Sequence, residues 1–87
     1  MKRTLHVTAE DIQKHKTDSS YSDPIQVALE REGFGRCVVT FISFISFAAF
    51  SFGDPVKTVP LPMHVSDRLK TLNLGKEMKP FEFDIEV

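Results

Sequence analysis

Between Arg36 and Asp54 the chain carries no charged residue, and five of its eight phenylalanines fall in the stretch Phe41–Phe52, FISFISFAAFSF. Apolar surface of that extent must be buried, either in the chain's own core or against a partner. The rings recur every third residue, at Phe41, Phe44, Phe47 and Phe50. That spacing matches neither the two-residue repeat of a strand nor the roughly 3.6-residue repeat of a helix. Two strands joined by a tight turn or bulge near Ser43–Ser46 absorb the mismatch. A single buried helix is the competing reading. It is disfavoured by the lack of caps and by the Val, Ile, Thr and Phe content.

The uncharged run from Cys37 to Gly53 is 17 residues long and is interrupted by Thr40, Ser43, Ser46 and Ser51. A membrane helix needs about 20 predominantly apolar residues, so no membrane span is expected. The N-terminal MKRTLHVTAED lacks the apolar core of a signal peptide. Cys37 has no second cysteine to pair with, which suits a reducing, cytoplasmic setting and a buried, inert thiol. Eighty-seven residues are expected to form one domain, 1–87, with a single modest core. The net charge of −1 argues against a protein built to grip nucleic acid, which is possible here but not favoured.

The flanking chain carries clearer signals. Leu5 and Val7 alternate with Thr4 and His6, as in a strand with one buried side. Thr8 and Asp11 form a capping box with Asp in the usual Glu place, opening one or two helical turns. Residues 13–22 are polar and aperiodic and are expected to form a surface loop. Asp23 caps a helix that Pro24 begins, with Gln26 able to reach back to the cap. Ile25, Ala28 and Leu29 line one face, and Gly33 closes the helix, predicted at 24–32. Arg36 to Ile42 reads as a strand, Gly53-Asp54-Pro55 as a turn, and Val56 to Val59 as a strand returning antiparallel to 47–52. Pro62 opens a second helix whose Leu61, Val65, Leu69 and Leu72 share a face, closed by Gly75. Phe81, Phe83, Ile85 and Val87 alternate with Glu82, Asp84 and Glu86 in a final strand. The expected fold is α+β: an antiparallel sheet of about four to five strands with two helices packed mainly on one face.

The segments TLHVTAEDI, Pro24-Ile25, Leu61-Pro62 and KPFEFDIEV together resemble a family of small phage- and prophage-encoded proteins. The resemblance spans nearly the whole chain and includes the T-x-E-x-I turn and the closing P-F-x-F strand. Family members often carry a cysteine before the helix proline, where this chain has Asp23, so a role tied to that cysteine is absent here. The resemblance implies a setting, a phage or integrated element in a bacterial cytoplasm, and carries no enzymatic activity with it.

Candidate chemistry is sparse. The sequence holds no nucleophile elbow, phosphate-binding glycine loop or zinc spacing, so no catalytic residue, metal or cofactor is assigned. Glu82, Asp84 and Glu86 form a row of carboxylates that Lys2, Thr4 and His6 would face if the first and last strands pair. Lys14, His15, Lys16, Ser19, Ser20 and Tyr21 lead into the N-terminus of the 24–32 helix, where free N–H groups favour anions, and a nucleotide or other small anion could be held there. In the phenylalanine run, strand parity places Ile42, Phe44, Phe50 and Phe52 on one face and Phe41, Ile45 and Phe47 on the other. Two apolar faces exceed what helices on one side can cover, so Phe41, Phe44, Ile45, Phe47 and Phe50 are candidates for an interface. The leading expectation is a non-enzymatic accessory protein that binds and modulates a host or defence macromolecule, with a protein partner and a homodimer. The alternative is a module that sequesters a small anion.

Overall fold

The computed structural model describes residues 1–86, with the side chain of Ser43 excepted. It is an α+β fold of three helices and five strands. Val87, expected to extend the apolar face of the last strand, lies outside the described residues.

Strand β1 (Lys2–Val7) leads into helix α1 (Ala9–Thr17), and then α2 (Pro24–Leu29) runs on into a wide π turn at Glu30–Phe34. Strands β2 (Cys37–Ile42) and β3 (Phe47–Phe52) flank a short 3-10 turn at Ser43–Ile45. Strand β4 (Lys57–Pro60), helix α3 (Met63–Asn73) and strand β5 (Phe81–Glu86) complete the chain.

The strands are all antiparallel, but they divide into two sheets instead of the single one expected: β1–β5, and β2–β3–β4. The termini pair as the charge pattern predicts, with Lys2 opposite Glu86, Thr4 opposite Asp84 and His6 opposite Glu82. Thr4 Oγ1 donates to Asp84, Lys2 Nζ lies 3.4 Å from the same carboxylate, and His6 Nδ1 lies 3.7 Å from Glu82. Asp84 and Glu82 thus face partners on β1 in this register. The opposite face of this pair contributes Leu5, Val7, Phe83 and Ile85 to the core.

Helix α1 is longer than the one or two turns expected, and residues 13–17 belong to it and not to a loop. The capping box forms as read: Asp11 N–H donates to Thr8 Oγ1, and Thr8 N–H donates to Asp11 Oδ2. What the local pattern misses is long-range support. Ile12 is buried, and Arg31 reaches back from the π turn to the Asp11 carboxylate. Lys14, His15 and Lys16 also sit in the last turn, where the helix dipole favours cations.

Asp23 caps α2 by accepting from Gln26 N–H at 2.9 Å. Gln26 reaches back to Ser22, just before the cap, and its amide nitrogen donates to Cys37 O at 2.9 Å. The predicted helix 24–32 is α-helical only to Leu29; beyond it the chain widens into the π turn, where Gly33 takes φ 96°. That turn carries Arg31, Glu32 and Phe34 across to β1 and to the hairpin. Ile25, Ala28 and Leu29 are buried as expected, and on α3 so are Val65 and Leu69. Helix α2 touches β1 of one sheet and β2 of the other, while α3 packs on β3, so one core serves both sheets.

Candidate functional site

The phenylalanine run folds as a hairpin. The register pairs Ile42 with Phe47, Phe41 with Ala48, Val39 with Phe50 and Cys37 with Phe52. Ser46 takes φ 51°, which closes the turn within the predicted 43–46 window.

This register overturns the expected assignment of faces. Paired residues share a face, so odd positions of β2 lie with even positions of β3. Phe41 therefore joins Phe50 and Phe52 on the inner face, and Ile42 joins Phe47 on the outer one. Phe50 is 0% exposed and Phe41 packs against the core, so both leave the list of candidate interface residues. Phe34 seals the inner face with edge-on contacts to Phe50 and Phe52, at centroid distances of 5.4 and 5.0 Å. The Arg3 guanidinium lies 4.8 Å from the centre of the Phe34 ring.

The outer face is different. Phe44 is 87% exposed, Ile45 57% and Phe47 41%. Val38, which the sequence reading passed over, joins them at 65%. These groups lie on the tip and outer face of a single hairpin. Lys70 of α3 donates to Ser46 Oγ at 3.1 Å, placing a cation beside the hairpin tip. Val38 could have been found from sequence only with the pairing register in hand, because its neighbour Val39 is equally apolar and points inward.

The fold brings together only part of the second candidate site, with Lys14 beside Tyr21 and His15 near enough to Asp23 to act on its carboxyl. Lys14, His15 and Lys16 are on α1, whereas Ser19, Ser20 and Tyr21 lie in the connection to α2. Lys14 Nζ sits 5.6 Å from the centre of the Tyr21 ring, and Lys16 Nζ lies 3.7 Å from Glu77. Ser20 gives both its N–H and its hydroxyl to Asp18. Of the six residues, only Lys14 and Tyr21 line the groove of about 450 Å³ between α1 and α2, whose walls also include Glu10, Glu30 and Arg31. The start of α2 already holds the Asp23 carboxylate. Burial pushes that carboxyl up from its ordinary value, against the Gln26 N–H bond that favours the ionised form. An anion approaching this helix end would meet a buried acid.

Cys37 is buried, and its thiol is pushed up to about 11, by burial first and then by the carboxylates of Glu30 and Asp23. Such a thiol is a poor nucleophile at neutral pH. Among the described residues, no helix is long and apolar enough to cross a membrane. No family model, curated protein or solved structure matched the chain.

Proposed function

We propose that this chain is a non-enzymatic binding protein that docks another protein on the outer face of the β2–β3 hairpin. The observation that carries the reading is the exposure of Phe44, Ile45, Phe47 and Val38 within a segment free of charge. Large apolar side chains gathered at a surface mark interaction sites, and aromatic rings are enriched at the buried centres of interfaces. Lys70 at the edge adds a preference: the partner presents an apolar surface with carboxylates beside it. The resemblance to small phage-encoded proteins supports a bacterial cytoplasmic setting, with a host or defence protein as the partner class.

Affinity capture from bacterial lysate, run in parallel with the wild type and a Phe44→Ser/Ile45→Ser variant, tests this. Both side chains are more than half exposed, so the variant keeps its core. The expected result is a stoichiometric partner held by the wild type and lost by the variant, with the complex then rebuilt from purified components. Identical capture by both proteins contradicts the reading.

A further inference from the structure

The three-stranded sheet has two unpaired edges, β2 and β4, and they are defended differently. Leu61 N–H donates to Ala48 O at 2.8 Å, so even positions of β3 turn their backbone groups towards β4 and odd positions towards β2. Through the register, Val38, Thr40 and Ile42 then bond to β3, and Cys37, Val39 and Phe41 turn their N–H and C=O groups outward. The Cys37 carbonyl agrees, since it accepts from Gln26 at 2.9 Å. On β4 the outward positions are Thr58 and Pro60. Pro60 has no N–H to offer a further strand, and the exposed Lys57 stands on the same strand. Proline and lysine are common means of keeping an edge unpaired. The β2 edge from Val38 to Ile42 has neither. Among the described residues, nothing in the chain bonds to the outward groups of Val39 and Phe41.

We infer that this edge pairs with β2 of a second copy of the chain, antiparallel about a two-fold axis at Thr40, giving one continuous sheet through both copies. Three features select this occupant and this register. An antiparallel pairing lets two identical edges meet, with Val39 of each copy bonded to Phe41 of the other. A register centred on Val39 would need the Cys37 carbonyl, which Gln26 covers, whereas one centred on Thr40 needs only the free groups. The Thr40 register also sets Val38 against Ile42 of the other copy on the outer face. No like charges meet across the axis.

The pairing stands on the backbone edge and does not depend on the partner proposed above. It enlarges the outer face by setting two copies side by side.

Sedimentation equilibrium over a concentration series tests it, with Thr40→Lys and Thr40→Glu examined alone and as an equimolar mixture. Thr40 is exposed, so both variants are expected to fold, which circular dichroism checks. The wild type is expected to dimerise, and each variant alone to be monomeric, because like charges face each other at the axis. The mixture is expected to recover the dimer. A wild type that stays monomeric at every concentration overturns the inference, as do variants that dimerise alone or a mixture that fails to reassemble. Capture of the partner by the wild type at a concentration where it is monomeric separates the two readings, since edge pairing is then absent while the docking face is unaltered.

Discussion

Arg31 holds the buried carboxylate of Asp11 with two hydrogen bonds, Nη2 to Oδ2 at 2.9 Å and Nε to Oδ1 at 3.2 Å. The same guanidinium donates to His6 O at 2.7 Å, so one side chain ties the π turn to both α1 and β1. Burial raises the Asp11 carboxyl, but the Arg31 hydrogen bonds and those from Thr8 together outweigh it, and the group lies below its ordinary value.

Replacing Arg31 with Ala is expected to cost about 1–3 kcal/mol at pH 7, the usual penalty for leaving a buried polar group without its partner. The Asp11 value is lowered in the folded state, so its contribution is present above the unfolded pKa of about 4 and is lost as pH falls through the folded value. Urea unfolding at neutral and acid pH should therefore show the gap between wild type and variant closing in acid.

Asp23 works in the opposite direction. Its folded value is raised, so the wild type bears a burial cost while the group is ionised, and sheds it as pH falls through the folded value. Asp23→Asn keeps an acceptor for the Gln26 N–H and removes the charge. The variant should be at least as stable as the wild type at pH 7, with the difference vanishing below the unfolded pKa. Asp23→Ala loses the cap as well, at about 1 kcal/mol relative to Asn.

Two phenylalanines of one hairpin should respond in contrary ways. Phe50→Ala opens the core and is expected to cost about 3–5 kcal/mol. Phe44→Ser alters a side chain that is 87% exposed and should stay within about 0.5 kcal/mol of the wild type. Chemical denaturation of the two variants measures the assignment of faces directly.

Cys37 should resist iodoacetamide at pH 8 in the folded protein and react readily in urea. Its raised thiol leaves on the order of one part in a thousand as thiolate at that pH, and burial blocks access. Mass spectrometry reads the modification; rapid labelling without denaturant would show an open core.

The elements legible from sequence are those with local chemistry at their ends. The Thr8–Asp11 box, the Asp23-Pro24 start and Gly75 marked helix boundaries because each satisfies backbone groups within a few residues, whereas Gly33 falls inside the π turn beyond the end of α2. The alternation at 81–86 and its charge complement in Lys2, Thr4 and His6 were enough to pair the termini. The second half of α1 was illegible because QKHKT has no apolar period; the helix packs against α2, and Arg31, distant in sequence, anchors its first turn at Asp11. The division into two sheets was hidden as well, since alternation says which side of a strand is buried and not which strand lies beside it. The candidate interface was half legible. A charge-free aromatic run announced excess apolar surface, but continuing one parity through a turn put Phe41 and Phe50 on the wrong sides. Only the hairpin register, Phe41 against Ala48, shows which rings remain exposed.

The central proposal is that the outer face of that hairpin is a docking surface. Hydrogen exchange on the complex rebuilt with the captured partner tests it most directly, read against the free chain over Val38–Phe47. Slowed exchange across this segment is expected on binding, with none of that protection at the groove between α1 and α2. Protection confined to the α1–α2 groove, with the hairpin unchanged, would contradict it.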